Sequence, residues 1–112
     1  MVVAPHRLAA QAGLRVLEDG GNAIEAMVAA AAAISVVYPH MNSIGGDNFW
    51  LISKCGKVWG VDSCGASGAK VTIKNYSERG LQEIPARGGD AAITVAGAVA
   101  GWEAALKLSH QF

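Results

Sequence analysis

The chain has 112 residues, nine Lys or Arg, nine Asp or Glu and a formal net charge of zero. That length makes one modest domain with a narrow stability margin, and 52% hydrophobic residues exclude a disordered chain. The balanced charge leaves no electrostatic footprint for nucleic acid or anionic lipid, so neither is expected as a partner.

Residues 6–18 are predicted helical. Pro5 sits just before the run, where its missing donor costs nothing. Leu8, Ala12, Val16 and Leu17 give a partial apolar face, and Arg7, Gln11, Arg15 and Glu18 fill much of the rest. Gly20-Gly21 ends this helix through a left-handed cap, and His6 before it is expected to make a local hydrogen bond or packing contact. Asn22 starts a second helix, and Glu25 three residues later completes a capping-box pattern. The body, Ala23–Val37, is apolar on nearly every side, including five consecutive alanines from Ala29, and is expected to be buried on most sides. Its 15 residues fall short of the roughly 20 that a membrane span needs. Pro39 stops the helix and pushes Tyr38 out of helical space.

The glycine-rich stretch 41–48 reads as a loop. Residues 49–53 and 58–63 read as two strands joined by a turn at 54–57, a hairpin over 49–63. Cys55 and Cys64 then lie at opposite ends of that hairpin, about 20 Å apart at strand rise. That is beyond the roughly 7 Å reach of a disulfide, so two free thiols in a reducing compartment are expected. Residues 64–70 are small, polar and irregular. A short helix is predicted over 72–79, a loop over 87–90, a third strand over Ala91–Val95, and a closing helix over 97–108 with Val99, Trp102, Ala105 and Leu106 on its packed side. The order helix, helix, hairpin, loop, strand, helix fits a layered α/β arrangement.

His6, His40 and His110 lack metal-ligand spacing, so no metal and no cofactor is expected. Trp50, Trp59 and Trp102 read as packing residues, and Gly97-x-x-x-Gly101 as close helix packing in a core. Cys64 has no neighbouring histidine in sequence to make it a nucleophile. No basic–apolar–cleavage pattern opens the chain at Met1–His6, which points to a cytoplasmic product.

Three segments carry a family resemblance. The first runs from Val3-Ala4-Pro5-His6-Arg7 through Gly20-Gly21-Asn22-Ala23-Ile24-Glu25-Ala26. The second is Ile44-Gly45-Gly46-Asp47-Asn48-Phe49-Trp50-Leu51-Ile52, and the third Thr94-Val95-Ala96-Gly97-Ala98-Val99-Ala100-Gly101-Trp102-Glu103. In this order and spacing they resemble the amino-terminal part of the large subunit of the γ-glutamyltransferase family. The resemblance implies an α+β chain, part of the four-layer αββα sandwich of the amino-terminal-nucleophile hydrolases. It also implies a precursor that cleaves itself to expose a threonine nucleophile, whose free α-amine serves as base. That threonine transfers or hydrolyses γ-glutamyl amides such as glutathione. It lies downstream of the residues matched here, so no catalytic residue is expected in this chain, and neither Thr72 nor Thr94 can serve. The implied partners are a small amide substrate and the remainder of the precursor, the second subunit.

Gly45, Gly46, Asp47 and Asn48, with Ser63, Cys64 and Ala66, are the candidate residues lining or flanking the substrate pocket. Gly45-Gly46 suits either close approach of a substrate or a turn into the strand. Asp47 suits an acid, a ligand or a loop cap. Typical members of the family carry an arginine just after the second hairpin strand, which grips the substrate α-carboxylate with its guanidinium fork. That position here falls on Cys64 or Ala66, and Arg79 and Arg87 are not placed by sequence. Two alternatives therefore stand beside the glutamyl reading: an acylase-type relative that cleaves another amide, and a noncatalytic remnant or binding module.

Overall fold

The computed structural model describes residues 1–91 and 94–111. Helix α1 (Arg7–Glu18) starts at His6, whose Nδ1 accepts from the Leu8 N–H at 3.2 Å, and this N-cap is the local contact expected of that histidine. The helix ends in a Schellman motif: Gly21 N donates to Val16 O at 2.8 Å and Gly20 N to Leu17 O at 3.2 Å, with Gly20 at φ +91°. Asn22 caps α2 (Ala23–Val37) as a full capping box. Its Oδ1 accepts from Ile24 N and Glu25 N, while Glu25 Oε2 accepts from Asn22 N at 2.8 Å. Tyr38 leaves helical geometry at φ −138° and ψ 55°, as Pro39 requires.

Within these residues α2 is not buried on most sides. It packs on α1 and on the closing helix, burying Ala26 and Ala30, while Met27 and Val36 stay 41% and 77% exposed. The all-round apolar sequence provides for more neighbours than this chain supplies. Contact with α1 is tight because Gly13 has no side chain: a Cβ there would stand 2.7 Å from Ala26 O.

Strands β1 (Asn48–Lys54) and β2 (Lys57–Ser63) pair antiparallel from Asn48↔Ser63 to Lys54↔Lys57. The turn is therefore only Cys55-Gly56, at φ +51° and +76°, the primed geometry whose twist matches a two-residue hairpin. One face turns Trp50, Ile52, Trp59 and Val61 inward, half-buried or buried. The other shows Phe49, Leu51 and Val58 to solvent. Both cysteines are free and exposed.

Helix α3 (Ile73–Glu78) is capped by Thr72, whose Oγ1 accepts from Asn75 N at 3.2 Å. In the predicted third strand, Ala92 and Ile93 lie outside the described residues. The described flank makes one antiparallel bridge, Ser67↔Thr94, beside a bond from Val95 N to Ala66 O at 2.9 Å. Helix α4 (Ala98–Ser109) packs through Ala98, Gly101, Ala105 and Ser109, not through the Val99 side. Val99 is 56% exposed, and Trp102 and Leu106 are half-buried. The small residues win because α4 lies almost on the hairpin: a Cβ on Gly101 would stand 2.7 Å from Ser63 Oγ. The close packing expected of Gly97-x-x-x-Gly101 is thus met against a strand. The architecture is α+β: α4 packs on one face of the hairpin, α2 on α4 and α1 on α2, with a thin core that among the described residues comprises Ala9, Ala26, Ala30, Ile52, Ala98 and Ala105.

Candidate functional site

Three segments meet at the open end of the hairpin: the loop before β1, the chain leaving β2, and the approach to α4. Two ties hold the first of these. Gly46 O accepts from both Gly97 N and Ala98 N at 3.0 Å, satisfying two of the donors that a helix start leaves without intrahelical partners. Next to it the Asp47 carboxylate reaches across the chain. Its Oδ1 accepts from Gly65 N at 3.3 Å and from Thr94 Oγ1 at 3.2 Å, and its Oδ2 accepts from Cys64 Sγ at 3.5 Å. Asp47 therefore caps a loop, but that of a distant segment rather than its own. Asp62 Oδ1 adds a bond from Cys64 N at 2.9 Å.

Glycines make this meeting possible. A Cβ on Gly65 would stand 1.6 Å from Val95 O, and one on Gly97 would stand 1.9 Å from Ser63 O. By contrast, Gly45 and Gly46 have room, their nearest neighbours being Ser43 Oγ at 3.4 Å and Ser43 O at 3.8 Å. Neither has positive φ.

The candidate residues thus divide. Asp47, Cys64 and, through its backbone, Ala66 belong to the cluster, with Gly45 and Gly46 on its rim. Asn48 and Ser63 are partners in the hairpin register and face α4, where both would touch a Cβ on Gly101. Asn48 Oδ1 and Trp102 Nε1 are buried and have no hydrogen-bond partner among the described residues. Both residues border a cleft of about 480 Å³ that runs past His40, Gly46 and Asp47. Gly65, Thr94 and Gly97 were not singled out as site residues by sequence. The only local signal for Gly65 and Gly97 is a glycine where no turn needs one, and Thr94 has none.

Electrostatically the cluster is acidic. The bond to Asp47, then its charge, pushes the Cys64 thiol above its ordinary value. The thiolate is disfavoured, the reverse of what a nucleophile needs. Among the described residues no histidine is hydrogen-bonded to Cys64; His40 lies against Tyr38 with ring centroids 4.2 Å apart and His6 caps α1. Arg79 is paired with Asp90, whose carbonyl also accepts from Tyr76 Oη at 2.8 Å. Thr72 and Thr94 are held as a helix cap and an Asp47 donor respectively. Among the described residues, no group of three or more His, Cys, Asp or Glu could hold a metal ion.

Comparison with known proteins follows the same lines. The family described as gamma-glutamyltranspeptidase matches residues 9–109. The oxamate amidohydrolase proenzyme of Klebsiella pneumoniae is 56% identical over 98% of this chain and 21% of its own length. The glutathione hydrolase-like YwrD proenzyme of Bacillus subtilis is 51% identical over 96% of this chain and 20% of its own. Among solved structures, the cephalosporin acylase of Bacillus halodurans superposes with a TM-score of 0.84 at 40% identity, over 90% of this chain and 19% of that one. The chain thus spans about a fifth of the length of the curated relatives it matches.

Proposed function

This chain belongs to the gamma-glutamyltranspeptidase family, and from that premise we propose that it forms one wall of the substrate pocket of a self-processed amide hydrolase. The nucleophile and its oxyanion donors come from the rest of the protein. The proenzyme names of the two relatives support self-processing, and both threonines of this chain are occupied structurally.

The substrate we propose is a small amide without a γ-glutamyl group. One observation carries this. Where the family resemblance puts a carboxylate-gripping arginine, this wall has Cys64 and Ala66 next to the carboxylates of Asp47 and Asp62. Anionic neighbours there disfavour an α-carboxylate instead of binding it. Oxamate, named for the relative at 56% identity, is the first amide without a γ-glutamyl group to try; that choice rests on the relative's name and not on residues 62–66, whose charge disfavours any carboxylate. The second reading, γ-glutamyl hydrolysis, is favoured by the glutathione hydrolase-like name of the relative at 51%.

The test is the intact mass of the native gene product, followed by a substrate panel. Two chains, the second opening with threonine, and turnover of oxamate above that of a γ-glutamyl anilide are expected. Faster γ-glutamyl turnover would transfer the assignment to the second reading. A single species near 11.5 kDa without amidase activity would end the enzymatic reading in favour of a binding module.

A further inference from the structure

We infer that Asp47 is a positioning residue: its carboxylate sets the conformation of residues 64–66 and so the shape of the specificity wall. The inference rests on the amide-hydrolase reading above. Three donors converge on this one side chain from two segments, Gly65 N and Cys64 Sγ from the chain leaving β2 and Thr94 Oγ1 from the approach to α4. Among the described residues no regular ladder holds 64–66, since the hairpin register ends at Asn48↔Ser63 and Ser67↔Thr94 is an isolated bridge. What remains is the bond from Cys64 N to Asp62 Oδ1, 2.9 Å, within the same segment, and that from Val95 N to Ala66 O, 2.9 Å, on the segment that Thr94 anchors. Asp47 itself is held from behind, because the preceding carbonyl, Gly46 O, is fixed on the first two N–H groups at the start of α4. The carboxylate is therefore a rigid post, and 64–66 is the part it orients. A carboxylate matters here because its two oxygens provide about four acceptor sites, and charge-assisted bonds are about twice as strong as neutral ones.

Substrate contact is assigned to 64–66, not to Asp47, so loss of the post alters binding more than chemistry. The experiment is made on the full-length gene product with the best amide of the panel. Asp47→Ala is expected to raise KM about tenfold, the loss of one to two charged hydrogen bonds, with kcat changed less than about threefold. Asp47→Asn keeps an acceptor for Gly65 N and Thr94 Oγ1, and is expected to recover most of the loss. Thr94→Val removes one donor and should fall between the two. Hydrogen exchange over residues 62–68 provides a readout independent of activity, and should accelerate about tenfold in Asp47→Ala. Faster exchange with unchanged KM would overturn the inference, as would unchanged exchange. If Asp47→Ala fails to accumulate, Asp47→Asn and Thr94→Val carry the same comparison. If the unsubstituted protein turns over no amide, the functional reading falls, and exchange over 62–68 alone decides whether Asp47 orders this wall.

Discussion

Asn22 Nδ2 donates to Ser109 Oγ at 2.6 Å, joining the first residue before α2 to the last residue of α4 across 87 positions of sequence. The same side chain caps α2 through its Oδ1, so one amide both starts a helix and docks another. Asn22→Ala removes both functions and is expected to cost about 2 kcal/mol, roughly half from the cap and half from the lost partner of the buried serine. Asn22→Ser keeps a cap and loses only the reach to Ser109, for about 1 kcal/mol. Hydrogen exchange in the first turn of α2 and the last turn of α4 measures both. A wild-type result for Asn22→Ser would show that the contact with Ser109 contributes nothing, and equal losses in the two variants would show the same of the cap.

Gly65 and Gly97 are each pressed against backbone, with a Cβ placed 1.6 Å from Val95 O and 1.9 Å from Ser63 O. Backbone cannot rotate away as a side chain does. Gly65→Ala and Gly97→Ala are each expected to cost about 3 kcal/mol or more and to lower the soluble yield of the full-length protein. Gly60→Ala is the control, because nothing lies within 4 Å of a Cβ there and alanine should change stability by less than about 0.5 kcal/mol. A wild-type yield for Gly97→Ala would mean that α4 does not sit this close to the hairpin.

These relationships separate what sequence carries from what it does not. The capping box at Asn22 and Glu25, the short helix within 72–79 and the hairpin are encoded within a few residues of themselves, and all were legible. The packed face of α4 was legible only in part, through Ala105 and the Gly97-x-x-x-Gly101 pair, since Val99 is exposed. Periodicity weights bulky residues such as Val99, whereas packing here selects the glycine and alanines that allow contact with β2. The apolar girth of α2 was legible, but not how much of it this chain covers. For the candidate site, the family motifs drew attention to residues 45–48, 63, 64 and 66. That Asp47 meets Thr94 across 47 positions has no local signature, since a single long-range hydrogen bond leaves no pattern in composition or spacing.

The pairing of Cys64 with Asp47 predicts its reactivity. With the thiol pushed above the ordinary value of 9.0, the protonated form is the one the fold favours. Its contribution is present below the unfolded-state value and is lost as pH rises through the raised value, on the alkaline side of about 9. Alkylation of Cys64 followed by mass spectrometry at pH 8.5 should therefore be slow, and several-fold faster in Asp47→Asn, where the nearby negative charge is gone. A rate unchanged by Asp47→Asn would mean that the carboxylate does not hold the thiol.

The outer face of the hairpin leads to the last prediction. Phe49, Leu51 and Val58 are 66%, 82% and 62% exposed there, side by side on adjacent strands because Leu51 faces Gly60 and Ser53 faces Val58 in the register. Among the described residues the buried apolar core consists of five alanines and Ile52. Alanines bury little surface each, and at roughly 25 cal/mol per Å² such a core is weak against the entropy of ordering the chain. An exposed apolar sheet face also invites strand-to-strand association. Residues 1–112 produced alone are therefore expected to bind a hydrophobic dye, to self-associate and to unfold without a sharp transition. Leu51→Lys, which places a charge at the centre of that face, should reduce association without restoring cooperativity, because it leaves the core unchanged. A monomer with a steep thermal transition would show instead that the thin alanine core is sufficient and that this segment is an independent folding unit.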